Sequence, residues 1–178
     1  PSLAGKTLAM IFEKPSLRTR VSFEVAMTQL GGHAIHLTQA DIGLVKRECV
    51  EDVARVLGRM CDGIMARTFS HKLMEDLAHH SPVPVINGLT DHSHPCQAMA
   101  DLMTAQEQFG PLAGRTIAFV GDGNNVARSL AAACSALGVR FILTAPEGYE
   151  LEADFPRSLP DPALYTLSRE PLQAVASA

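Results

Sequence analysis

Between Phe12 and Arg20 the chain reads Phe-Glu-Lys-Pro-Ser-Leu-Arg-Thr-Arg, a run that brings two hydroxyls and two guanidinium groups close together in sequence. Pro15 disfavours helix for Lys14, so a helix is expected to open near Ser16 with unpaired backbone N–H groups at its positive end. Such a terminus is a phosphate cradle. The plainer reading is a Ser16 cap followed by solvated arginines. Arg18 and Arg20, however, place cations where the helix dipole disfavours them, a conflict that a bound anion relieves.

Two further stretches carry polar chemistry. In Asp91-His92-Ser93-His94-Pro95-Cys96-Gln97 a loop opens onto a helix. There His94 can donate to a carbonyl oxygen, and Gln97, one turn on, can meet an amide-like group. His79, His80 and His92 match no metal-ligand spacing, and Cys96 beside Pro95 reads as a packing residue before it reads as a nucleophile. The third stretch, Val120-Gly121-Asp122-Gly123-Asn124-Asn125-Val126, invites comparison with the dinucleotide fingerprint G-x-G-x-x-G but has Val126 where the close-packing glycine should stand. A nicotinamide site is disfavoured. Asn124 reads equally as a helix N-cap or as a ligand contact.

These loops need a scaffold, and the periodicity supplies one. Strand-like runs are expected at 7–12, 33–38, 63–68, 83–86, 116–121 and 141–144, each bounded by Gly, Pro or polar turns. Between them Phe23, Ala26, Met27 and Leu30 recur at helical spacing, as do Val50, Val53, Ala54, Leu57 and Cys61, which predicts helices with one buried face. Pro95 suits the first position of another helix. This alternation is that of an α/β protein, a parallel sheet with helices on both faces. A Gly/Pro-rich break at 109–114 places a domain boundary, giving domains 1–112 and 113–178. After it only two strands, one helix and a Pro-rich stretch are evident. Their apolar residues Ile117, Phe119, Phe141 and Leu143 are expected on open sheet edges.

Composition narrows the function classes. The 178 residues are 47% hydrophobic and 19% charged with a formal charge of -4, which argues for a soluble globular chain and against disorder. No apolar stretch reaches the roughly 20 residues of a membrane-spanning helix. The acidity argues against nucleic acid. Through residue 60 there are 8 Lys and Arg against 6 Asp and Glu, and 7 against 13 afterwards, so the first third, at +2, is the better place for an anion. Four cysteines without a C-x-x-C pair read as reduced thiols in a cytoplasmic compartment.

Taken together, FEKPSLRTR, Met65-Ala66-Arg67-Thr68, HPCQ and GDGNN resemble the transcarbamylase family, and within it the ornithine branch. The resemblance covers nearly the whole chain. It implies two Rossmann-like domains of which the second is incomplete here, and carbamoyl transfer from carbamoyl phosphate to ornithine. By the same resemblance Ser16, the backbone of Leu17, Arg18 and Thr19 would hold the phosphate. Arg67, His94 and Gln97 would hold the carbamoyl group, and Asn125 would touch ornithine. Arg67, His94 and Thr19 are the candidates for stabilising the developing oxyanion. No metal, nucleotide or other cofactor is implied, and neither nucleic acid nor membrane is an expected partner. The family implies a homotrimer and a place in arginine biosynthesis.

The family often has Thr at Leu17, and Gln or His at Gly43 on a loop that resembles one reaching a neighbouring subunit. Its later Asp…Ser-Met-Gly and His-Cys-Leu-Pro motifs do not occur in these residues, so the chain reads as a fragment with half an active site that would not by itself form citrulline. The amine is therefore open, putrescine being the alternative to ornithine. A non-catalytic phosphate-binding module is the reading from a different class.

Overall fold

Five consecutive apolar side chains, Leu8, Ala9, Met10, Ile11 and Phe12, are all buried. That requires a strand covered on both faces. The computed structural model describes residues 1–43 and 48–178. In it strand β1 (Thr7–Phe12) lies inside a parallel four-stranded sheet of order β2-β1-β3-β4. Its partners are β2 (His33–Thr38), β3 (Gly63–Arg67) and β4 (Val85–Leu89). Helix α1 (Leu17–Gln29) follows β1, and the short α2 (Gln39–Ile42) follows β2. Helices α3 (Val50–Met60) and α4 (His71–His80) flank β3. Along β1 the side chains alternate between two cores. Leu8, Met10 and Phe12 pack with Met27 of α1, while Ile11 packs with Val53, Ala54, Leu73, Met74 and Leu77 of α3 and α4.

The chain divides into two compact units, Pro1–Asp91 and His92–Ala178. The sequence has its break at 109–114. Backbone packing divides the chain earlier because helix α5 (Pro95–Phe109) joins the core of the second unit through Ala98 and Leu102. That unit continues with β5 (Thr116–Val120), α6 (Asn125–Ala136), β6 (Arg140–Thr144), β7 (Tyr165–Ser168) and α7 (Pro171–Ala176). Its parallel sheet has the order β5-β6-β7. No helix among the described residues is long and apolar enough to cross a membrane.

Three expectations are corrected, and one helix is added. Strand β7 lies inside the Pro-rich stretch, where no strand is expected, and by pairing with β6 it makes that strand central, so Phe141 and Leu143 are core residues at 1% and 0% exposure. The expected strand at 83–86 is displaced to Val85–Leu89, since Pro82 and Pro84 have no N–H for the ladder. The stripe of α1 is mostly open: of Phe23, Ala26, Met27 and Leu30 only Met27 is buried. The added helix is α4, whose buried face is formed by Leu73, Met74 and Leu77.

Candidate functional site

In parallel sheets ligands gather at the carboxyl ends of the strands. In the first unit these ends carry Phe12-Glu13-Lys14, Arg67-Thr68-Phe69 and Leu89-Thr90-Asp91. Helix α1 begins where the sequence placed it, with Ser16 as N-cap in extended conformation and the Ser16 hydroxyl accepting from the Thr19 N–H at 3.4 Å. Ser16 Oγ also donates to Thr19 Oγ1 at 3.0 Å. From β3, Arg67 Nη1 donates to the same Thr19 oxygen at 3.1 Å. Ser16, Thr19 and Arg67 thus form one connected cluster, although 48 residues separate the last two.

Arg67 is half-buried, and desolvation lowers its pKa from the ordinary arginine value. Its Nε–H is buried and has no hydrogen-bond partner among the described residues. A buried donor without an acceptor is costly, on the order of 1–3 kcal/mol. An oxygen-rich ligand at this place would supply the acceptor.

The two arginines of the α1 entrance behave differently. Arg18 is exposed in the first turn, where no acidic residue offsets it. Arg20 turns along the helix and pairs with Glu24, Nε to Oε1 at 2.8 Å. The convergence of two guanidinium groups on the helix start therefore reduces to Arg18, because an i,i+4 carboxylate relieves the conflict at Arg20. The side chain of Leu17 is 77% exposed, which leaves only its backbone suited to a ligand at the helix terminus.

In the second unit, His94 is the N-cap residue of α5, and Pro95 follows at the first helical position as expected. The His94 backbone N–H donates to Ser129 Oγ at 2.8 Å. Ser129 lies four residues after Asn125 on α6, so Asn125 sits one turn away on the face that receives the His94 loop. Gln97 is exposed and donates through Nε2 to Asp101 at 2.8 Å, so its amide nitrogen is engaged within its own helix. Burial raises the thiol pKa of Cys96, in keeping with packing rather than nucleophilic chemistry.

The Gly-rich turn resolves into separate tasks. Asn124 is the N-cap of α6, its side-chain oxygen accepting from the N–H groups of Val126 at 2.9 Å and Ala127 at 3.1 Å. Gly123 donates to the Tyr149 carbonyl at 2.6 Å, and a Cβ on it would lie 2.4 Å from the Leu151 nitrogen. The chain's own backbone at 149–151 therefore fills the space that a pyrophosphate would need against such a turn. Among the described residues no group of three or more His, Cys, Asp or Glu is placed to hold a metal ion. Gly43 caps α2 at φ 66°, a left-handed conformation that suits glycine over the Gln or His of the family pattern. Residues 44–47, where the family pattern implies a loop reaching a neighbouring subunit, lie outside the described residues.

Comparison with known proteins adds independent findings. Residues 1–107 match the family model for the aspartate/ornithine carbamoyltransferase carbamoyl-P binding domain, and residues 113–175 match that for the Asp/Orn binding domain. The chain is 56% identical over 148 residues to an ornithine carbamoyltransferase of Anoxybacillus flavithermus, covering 83% of this chain and 47% of that protein. It is 59% identical over 148 residues to the anabolic ornithine carbamoyltransferase of Pyrococcus furiosus, with the same coverage of 83% and 47%. The solved structure of the ornithine carbamoyltransferase from Pyrococcus furiosus superposes with a TM-score of 0.92 at 52% identity, covering 97% of this chain and 57% of that one. The chain spans about half the length of the curated relatives it matches.

Proposed function

Since the chain belongs to the aspartate/ornithine carbamoyltransferase family, we propose that its protein transfers the carbamoyl group of carbamoyl phosphate to the side-chain amine of ornithine, giving citrulline and phosphate. The observation that carries this reading is the half-buried Arg67, joined to the Ser16-capped helix start through Thr19 and keeping an unused Nε–H. In the reaction the neutral amine attacks the carbonyl carbon, a C–N bond forms, the C–O bond to phosphate breaks and the nitrogen sheds a proton. Negative charge grows on the carbonyl oxygen and then on the leaving phosphate. Fixed donors are what such a step needs, and removing one commonly costs about 10²–10³ in rate.

The roles follow the chemistry of each group. Ser16, the Leu17 backbone N–H, Arg18 and Thr19 take the phosphate at the positive end of α1. Arg67 takes the carbamoyl oxygen with Thr19 and His94, Gln97 takes the carbamoyl amide through its side-chain oxygen, and Asn125 contacts ornithine. Residues 1–112 serve as the carbamoyl-phosphate-binding domain and 113–178 as the ornithine-binding part. The anabolic naming of the Pyrococcus furiosus relative supports the arginine-forming direction, and four cysteines without a C-x-x-C pair support a cytoplasmic place for it. Leu17, Val21 and Val25, exposed at 77%, 46% and 45% along one face of α1, support association into a homotrimer.

The test is twofold. Calorimetry of this chain with carbamoyl phosphate should show binding that Arg67→Ala removes, and the whole protein should pass a radiolabelled carbamoyl group to ornithine and not to putrescine. Label on putrescine would reassign the amine. An absence of binding to this chain, or Arg67→Ala binding as tightly as the unsubstituted chain, would overturn the site.

A further inference from the structure

Strand β3 does not leave its sheet regularly. Its pairing with β4 runs Ile64 to Val85, Met65 to Ile86 and Ala66 to Asn87, and then slips so that Arg67 stands opposite Leu89. Irregularities of this kind re-aim a side chain and interrupt the ladder that would otherwise hold it. At the point where that ladder slips, one residue of β1's exit takes hold of the segment from the other side. The Glu13 N–H donates to the Arg67 carbonyl at 2.9 Å, and the Glu13 carboxylate accepts from the Phe69 N–H at 3.0 Å. Between these two bonds Thr68 is fully buried, its N–H donating to the Leu89 carbonyl at 2.9 Å. The segment is supported further by the Asp91 N–H, which donates to the Phe69 carbonyl at 3.0 Å, and by Lys14, whose ammonium lies 4.2 Å from the centre of the Phe69 ring.

We propose that Glu13 is a positioning residue for Arg67, clamping the chain on both sides of it so that the guanidinium meets Thr19 and the ligand in a set orientation. This rests on the reading that the Ser16, Thr19 and Arg67 cluster takes the phosphate-bearing substrate. Glu13 also stands three residues before Ser16, so the same residue anchors the entrance of α1 and the exit of β3. The two halves of the cluster are thereby held in one frame, and the carboxylate acts by reach and hydrogen-bond acceptance rather than by touching substrate. A buried donor such as Arg67 gains from having its direction set before the ligand arrives, because the ordering need not then be met on binding.

The experiment compares Glu13→Gln with Glu13→Asp in the whole protein, with carbamoyl phosphate and inorganic phosphate as probes and calorimetry as the readout. Glutamine keeps the acceptor oxygen at full reach and loses the charge, whereas aspartate keeps the charge and withdraws the oxygen by one methylene. Glu13→Gln should bind within about twofold of the unsubstituted chain and Glu13→Asp about tenfold more weakly, the scale of one lost charge-assisted bond. Both replacements are mild enough to test without relying on Glu13→Ala, which removes the clamp outright. Urea midpoints read alongside separate stability from positioning. Glu13→Asp binding normally, with or without a lower midpoint, would reduce Glu13 to a structural residue and overturn the proposal, as would Glu13→Gln binding as weakly as Glu13→Asp. If the unsubstituted chain binds neither probe, the site reading itself falls and this inference with it.

Discussion

Arg67 on β3 and Thr19 on α1 meet at 3.1 Å, and the hydroxyl that receives the guanidinium also receives the Ser16 hydroxyl. One oxygen therefore joins a strand end to a helix start. Among the described residues the cations open to a ligand there are Arg67, with its free Nε–H, and Arg18, since Arg20 is held by Glu24.

That asymmetry predicts unequal effects of two neighbouring arginines. Arg18→Ala should weaken carbamoyl phosphate binding at least tenfold, because a charge-assisted hydrogen bond contributes about 1.5–3 kcal/mol. Arg20→Ala removes only an exposed i,i+4 pair and should change affinity by less than about threefold. Calorimetric titration of both variants checks the order, and equal losses would refute it.

Asn124 caps α6 with two hydrogen bonds. Asn124→Ala should lower stability by about 1 kcal/mol, and Asn124→Gly by a few tenths. Urea denaturation curves followed by circular dichroism will read the difference. An unchanged midpoint in Asn124→Ala would mean the cap contributes nothing.

Stability in the second unit should depend on acid pH through Glu152. Its own backbone N–H, and after it the Arg128 side chain, hold the Glu152 carboxyl below its ordinary value of 4.5. A depressed folded value means that the contribution is fully present above pH 4.5 and is lost as pH falls through the lower folded value. Arg128 also lies 4.8 Å from the centre of the Phe155 ring, so the pair supports a core residue. Thermal melts of Glu152→Gln should therefore differ from the unsubstituted chain at pH 6 and converge with it as the pH falls below the depressed folded value.

The four thiols should label in a fixed order. Cys49 is exposed, whereas burial raises the Cys61 thiol and pushes that of Cys134 up to about 12. Since the thiolate is the reactive form, iodoacetamide under native conditions should modify Cys49 first and leave Cys134 intact until the chain is unfolded. Peptide mass spectrometry reads the order directly.

Much of this was legible in the residues. Strands β1 and β2 begin and end at the residues expected of them, α1 opens at the Ser16 cap that Pro15 announces, and α5 opens at Pro95. Such features are set within a few residues by ring constraints, capping chemistry and periodicity, so they can be read in a short window. The Ser16–Thr19 pairing at the helix start was legible for the same reason: its hydroxyls are neighbours in sequence.

Pairing between distant segments was not legible, because no local pattern encodes the partner. Phe141 and Leu143 looked like an open edge until β7, a strand of only 4 residues in Pro-rich sequence, paired beside them. Residue types and their order by themselves determined the α/β alternation, the family and the Ser16 cap that opens α1. Tertiary structure alone decided that Arg67 would reach Thr19 and that Glu13 would clamp the chain around Arg67. Those contacts join strand and helix ends far apart in sequence, and only the stacking of parallel strands brings such ends to one edge.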